Sequence, residues 1–172
     1  DEDFQDVINT ETPTTTEAPN IFFSDWFLPS QEELRAMLAV VDTTGEHGYT
    51  AFLSSSEGIE AWAGTAIGVY NYGAYSIGHF NKDAPMKYFA CRAFTSLTNY
   101  SVGDTGPAGG TIFYKNGNDY LEATPSAYIA EEIWSNINTA EILGTGTAIG
   151  TGLDNSRLIT EQTGHTTSAA QD

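Results

Sequence analysis

A chain of 172 residues, 40% of them apolar, has room for one domain with a real core and not for two comfortable ones. Six Lys and Arg against 23 Asp and Glu leave a formal net charge of -17, which disfavours nucleic acid, anionic lipid and sulfated polysaccharide as partners. The single Cys91 excludes an internal disulfide framework and any multi-cysteine metal site.

Neutral sugars, basic protein patches and divalent cations stay open. No stretch is apolar for long enough to insert in a membrane, and no signal peptide is visible. Asp1 in place of a methionine points to a processed chain or a fragment.

Residues 1–20 carry six acidic side chains, no basic ones, and the tract Thr12-Pro-Thr-Thr-Thr-Glu-Ala-Pro19. So few large apolar groups cannot offset the entropy of ordering, so this stretch reads as an acidic Thr/Pro-rich arm or linker. Phe4, Val7 and Ile8 are placed to dock as a short strand on this chain or on a neighbour, and the threonines resemble an O-glycosylated stalk. A single domain is expected over 21–172.

Trp26, Phe27 and Leu28 lead into Ser30, with Glu33 three positions on, the arrangement of a capping box. Leu34, Met37, Leu38 and Val41 then share one helical face, predicting an amphipathic helix over 31–41 that stops before Gly45. Short strands are expected next, at Tyr49–Ser54, Ala61–Ile67 and, strongest, Met86–Phe94, where Cys91 reads as a buried structural thiol. Between the last two lies Gly68–Asn81. Its Tyr70, Asn71, Tyr72, Tyr75, Ser76, His79 and Asn81, set among small residues, are the palette of a binding loop. The plainer alternative is a Tyr-rich hairpin whose rings cover the sheet.

From Gly103 to Gly110 the chain holds four glycines and a proline, followed by Thr111–Tyr114, the turn dipeptide Asn116-Gly117 and Tyr120–Ala123, which predicts a β-hairpin. The glycines serve tight turning or close backbone approach. A phosphate cradle is excluded, because no Lys-Ser/Thr follows and a strand rather than a helix comes next. Ile129, Ile133 and Ile137 recur every four residues, predicting a short helix capped by Ser126. A Gly/Thr loop follows over 143–152. A last helix is expected from an Asp154 cap through Gln162, stapled by Leu153 and Leu158, with a fraying tail over 163–172.

Candidate chemistry is sparse. His47, His79 and His165 lie far apart with no second ligand at zinc spacing. Ser54-Ser55-Ser56 lacks the glycines of a nucleophile elbow and reads as a strand end whose hydroxyls hold a turn. Asp42, Glu46, Glu57, Glu60, Asp83, Asp104, Asp119 and Asp154 can supply oxygen ligands, so a Ca ion is a candidate cofactor, although no twelve-residue calcium loop is present. No carboxylate pair is singled out for glycoside hydrolysis, and nothing in the sequence argues for an enzyme.

Four segments carry a resemblance: Val102–Tyr114 with Leu121-Glu-Ala123; Thr147–Asn155; Ser24–Leu34; and Leu53–Glu57 with Ala61-Trp62, closing on Cys91-Arg-Ala-Phe94. Together they resemble a bacterial and phage family of C-type-lectin-like domains. That family includes the C-terminal domain of the Lcl-type collagen-like adhesin, and its fold belongs with the formylglycine-generating-enzyme subtype. The resemblance covers nearly all of 24–170, with one departure. The family's second half (here 21–99) precedes its first half (here 100–172), so that Thr166–Ala170 would join on toward Asp25.

The resemblance therefore implies an α+β lectin-like fold of short twisted antiparallel sheets with two or three short helices. Its halves are either circularly permuted within one chain or completed by a neighbour. It implies recognition rather than catalysis: an adhesin or phage surface domain, extracellular or on a virion, whose partner is a glycan or a host surface protein. Related domains vary in the segment matching Gly68–Asn81; the rings of Tyr70, Tyr72, Tyr75 and Trp62 are candidates to stack on sugar faces, with Asn71 and Asn81 to hydrogen-bond hydroxyls. Formylglycine chemistry is not implied, since it relies on cysteine and only Cys91 is present. The alternative is a structural subunit of a capsid, tail or filament that self-associates through the arm or through half-domain exchange.

Overall fold

The computed structural model describes residues 23–42, 50–71, 75–125 and 129–171, so the expected arm over 1–20, the Gly45 stop and the Ser126 cap lie outside the described residues. The elements are helix α1 (Gln31–Val41), strands β1 (Ala51–Glu57), β2 (Ala66–Asn71), β3 (Tyr75–Phe80), β4 (Met86–Tyr88), β5 (Cys91–Thr95), β6 (Thr111–Asn116), β7 (Asp119–Ala123) and β8 (Ala130–Glu132), and helix α2 (Gly152–Thr160). This is an α+β fold. Its strands form one sheet in the order β3-β2-β1-β4-β8, all antiparallel except β1 with β4, and a second in the order β5-β7-β6.

Helix α1 starts where the capping box predicts. Glu33 N–H donates to the Ser30 hydroxyl at 3.4 Å, and Ser30 N–H donates to Glu33 Oε2 at 2.7 Å. Its apolar face, Leu34, Met37 and Leu38, packs with Phe27, Phe52, Val69, Phe89, Cys91, Phe113 and Leu121 into a core that draws on both sheets. A second core on the other side of β1 collects Leu28, Leu53, Ala66, Tyr88, Trp134, Ile142, Ile159 and Ala169. Strand β1 is thus buried on both faces, Phe52 in one core and Leu53 in the other.

That double burial corrects the reading of the serines. Ser54, Ser55 and Ser56 do lie in the C-terminal half of a strand, β1, but they are buried and bond to distant segments rather than holding a local turn. Ser54 Oγ donates to the Ile67 carbonyl and Ser56 Oγ to the Gly146 carbonyl, both at 2.8 Å, while Asn155 Nδ2 donates to Ser55 Oγ at 3.2 Å. Small hydroxyls satisfied this way tie the strand to the loop before α2.

The apolar run 86–94 is two strands rather than one. Tyr88 pairs with Ala130 in the first sheet, whereas Cys91 pairs with Ala123 and Phe27 in the second, and buried Phe89 spans the change. The run is apolar because it crosses the core. No helix forms in the described part of 127–137. Ala130–Glu132 is a strand on β4, and Trp134, wholly buried, donates its indole N–H to the Ser54 carbonyl at 2.8 Å. A tertiary partner overrides the four-residue isoleucine spacing there.

Helix α2 begins at Gly152, so Leu153 lies within it, 47% exposed, and Asp154 sits in its first turn rather than capping it. The tail is also ordered as far as Gln171: Ser168 and Ala169 are buried, Ala169 N–H donates to the Ile133 carbonyl at 2.8 Å, and Asn136 Oδ1 accepts Thr166 N–H at 2.8 Å. Ala169 thereby shares a core with Leu28.

The glycine-rich hairpin forms with its turn one residue later than expected. Asn116 faces Asp119, so Gly117 and Asn118 are the central pair, and Gly117 takes φ 61°. Its preceding loop is held by Glu122, a buried carboxylate that accepts Ala108 N–H at 3.0 Å and Gly110 N–H at 2.8 Å. A Cβ at Gly106 would overlap that carboxylate, and one at Gly110 the Ala123 carbonyl. Two more buried glutamates do similar work. Glu33 Oε1 accepts Gly150 N–H at 2.7 Å, and Glu57 Oε2 accepts Ile142 N–H at 2.7 Å. An acidic chain uses carboxylates inward as well as outward.

Candidate functional site

The loop from Gly58 to Thr65, expected as part of a strand, is instead a compact turn carrying a 3-10 segment over Glu60–Trp62. Gly58 N–H donates to the Thr65 carbonyl at 2.8 Å and Thr65 N–H to the Trp62 carbonyl at 3.1 Å. Glu60 takes φ 55°, a left-handed conformation that a residue with a Cβ adopts at a cost of order 1–3 kcal/mol. The turn presents Trp62 to solvent, 56% exposed.

Trp62 does not project loosely. Its indole stacks on the His79 imidazole, with ring centroids 4.7 Å apart and planes within 9°. The Thr65 hydroxyl donates to the Trp62 carbonyl at 2.6 Å and lies 3.2 Å from His79 Nδ1. With its proton committed to the carbonyl, Thr65 accepts from Nδ1–H, an assignment made from the bonding network. Gly58 is required at the base, because a Cβ there would meet the Trp62 carbonyl, the Thr65 hydroxyl and His79 Nδ1. The outcome is a flat, pre-positioned aromatic platform.

Register distributes the remaining candidates. Cross-strand partners share a face and successive residues alternate. The β2–β3 pairs Ile67–His79, Val69–Ile77 and Asn71–Tyr75 lie on one face, and Ala66–Phe80, Gly68–Gly78 and Tyr70–Ser76 on the other. His79 and Tyr75 therefore share the face of the platform, at opposite ends of β3. Tyr75 is half-buried against the α1 core and donates its hydroxyl to the Leu38 carbonyl at 2.8 Å. Burial, and then the charge of Asp42, push its phenol above the usual tyrosine value.

Tyr70 and Ser76 are on the reverse face. The Phe80 ring covers Gly68 and Gly78 there, with the Tyr70 ring beside Gly78, so these glycines leave room for aromatic cover. Asn81 is exposed at the mouth of a dent of about 280 Å³ that it shares with Gly64, Lys82, Asp83, Asn138 and Thr139. Tyr72 and the Asn71 side chain lie outside the described residues. The structure thus gathers Trp62 and His79, and separates Tyr70 and Ser76 from them. Thr65 and Gly58 build the platform without having stood out in the sequence, and Glu60 does so in a role other than the ion ligand expected of it; only the glycines flanking Trp62 hint at a turn.

Among the described residues, no group of three or more His, Cys, Asp or Glu side chains is placed to hold a metal ion. Several of the candidate oxygen donors are engaged. Glu57 pairs with Lys82, Asp104 accepts Ser101 N–H, Asp119 accepts the Thr95 hydroxyl, and Asp83 accepts Asn138 Nδ2. Glu46 lies outside the described residues.

Compared with protein-family models, curated proteins and solved structures, the chain finds no match in any of the three.

Proposed function

We propose that this chain is a non-enzymatic surface recognition domain of the C-type-lectin-like kind, its two halves in permuted order, acting outside the cell or on a virion. Its ligand is a neutral glycan or a host surface protein. The observation that carries this reading is the exposed Trp62 ring, held flat on His79 by a strained turn. A flat aromatic face stacks on the C–H face of a sugar, and ordering it beforehand removes part of the entropic cost of binding. The net charge of -17 steers away anionic glycans and favours neutral or basic partners.

Permutation within one chain is supported by contacts between described residues of the two halves: β5 pairs with β7, and Ala169 meets Leu28 in one core. The test is a glycan and cell-surface array probed with the intact chain and with Trp62→Ala and His79→Ala. Both variants should keep the melting temperature of the parent, and Trp62→Ala should lose binding. Undiminished binding by both variants overturns the reading.

A further inference from the structure

A second concave site lies on the other sheet, and its geometry follows from strand register. On one face of β5-β7-β6, Ala93, Leu121 and Tyr114 form a row across the three strands, since Ala93 faces Leu121 and Leu121 faces Tyr114. Two residues further toward the hairpin end, Thr95, Asp119 and Asn116 form a second row on the same face, Asp119 facing both others. Neighbouring side chains within such a row are about 5 Å apart. In the first row Ala93 is exposed, Tyr114 is half-buried and Leu121 is buried in the α1 core beneath them. The second is an exposed line of hydroxyl, carboxylate and amide.

Ile149 and Gly150 wall this surface into a cleft of about 390 Å³, within the usual range of small-ligand pockets, roughly 300–1,000 Å³. The wall is anchored: Gly150 N–H donates to buried Glu33 at 2.7 Å, and the Ala148 carbonyl accepts the Ser30 hydroxyl at 2.8 Å. The polar row is oriented too, since the Thr95 hydroxyl donates to Asp119 Oδ1 at 2.8 Å. No Lys or Arg lines the cleft.

The geometry points to this cleft as a subsite for one neutral sugar residue. A pyranose lays its apolar C–H face on Ala93 and the Tyr114 ring, with Leu121 buried beneath them. Its hydroxyls donate to the Asp119 carboxylate and exchange hydrogen bonds with the Asn116 amide and the Tyr114 phenol. The carboxylate rejects uronic and sialic acids, because two like charges would share the site. This assignment rests on the glycan-recognition reading above but places the sugar far from Trp62 in sequence and on a different sheet.

The experiment is amide-resolved NMR of the intact chain titrated with neutral methyl glycosides (hexopyranosides and N-acetylhexosaminides), with methyl glucuronide and n-butylammonium as separate arms. Saturable shifts at Thr95, Tyr114, Asn116 and Asp119 are expected with at least one neutral glycoside and not with the glucuronide. Asp119→Asn should weaken that binding about tenfold by removing a charge-assisted hydrogen bond. Ala93→Trp fills the cleft from an exposed position and should abolish the binding while leaving the spectrum elsewhere intact. Shifts confined to Trp62 and His79 overturn the subsite and leave glycan recognition standing. No shifts with any glycoside overturn both, and a response to n-butylammonium alone assigns the cleft to amines and overturns the proposal.

Discussion

Arg92 grips Asp25 with two parallel hydrogen bonds, Nε to Oδ1 and Nη2 to Oδ2, both 2.9 Å. The same guanidinium donates through Nη1 to buried Glu122 at 3.3 Å and lies over the Phe23 ring at 4.0 Å. One buried cation thus joins the segment before α1, strand β5 and the carboxylate that organises the glycine-rich loop. A planar fork with five donors can serve two carboxylates at once, which a lysine ammonium cannot do with the same geometry.

This relationship sets a pH dependence. The hydrogen bond from Arg92, against a smaller opposing effect of burial, holds the Asp25 carboxyl below its usual value of 3.8. A depressed folded-state pKa means stability that is present above the unfolded value and is lost as pH falls through the folded one. Asp25→Asn should therefore flatten the acid side of the stability profile, below about pH 4, and change the slope near neutrality little. Urea midpoints across that range check it; an unchanged acid slope contradicts the assignment. The side chain is half exposed, so the effect will be modest.

Glu122→Ala should cost about 3–5 kcal/mol, because it strands two loop N–H groups and removes one of the two counter-charges of Arg92. Glu122→Gln keeps an acceptor and should cost less, about 1–3 kcal/mol. Urea unfolding measures both. Equal stability of Ala and Gln variants would show that loop capping is not the role of this side chain.

Lys82 is wholly buried, with Nζ 2.6 Å from Glu57 Oε1, 2.7 Å from the Ala140 carbonyl and 4.7 Å from the centre of the Trp134 ring. Lys82→Met fills much the same space and leaves Glu57 buried without its counter-charge, so a loss of about 3–5 kcal/mol is expected. A denaturant midpoint within error of the parent would contradict it.

Cys91 has no exposed surface, and burial, with the nearby charge of Glu33 adding to it, pushes its thiol well above the usual cysteine range. The thiolate is the reactive form, so a maleimide dye should leave the native protein unlabelled at neutral pH and label one equivalent once the chain is unfolded. Labelling of the native protein at the rate of free cysteine would place this thiol at the surface.

Features that depend on near neighbours in the chain were legible in the sequence. The capping box at Ser30 and Glu33, the apolar face of α1 and the hairpin around Gly117 all formed, because capping, helical periodicity and turn chemistry act over a few residues. The aromatic and amide palette of 68–81 also marked a real hairpin, but not which of its side chains meet. Strand alternation put Tyr70 and Ser76 on the face away from His79, a consequence of a register fixed with β2.

Composition and local pattern by themselves determined a net charge of -17, a capped first helix and a glycine-rich hairpin. Tertiary structure alone decided the rest. It folded the Ile-spaced segment into a strand through Trp134, split 86–94 between two sheets, and buried the three serines. It also stacked Trp62 on His79 and set Thr95, Asp119 and Asn116 in a row. The physical reason is common to all of them: these arrangements depend on partners distant in the chain, whose energies outweigh the local preference and leave no periodic trace in sequence.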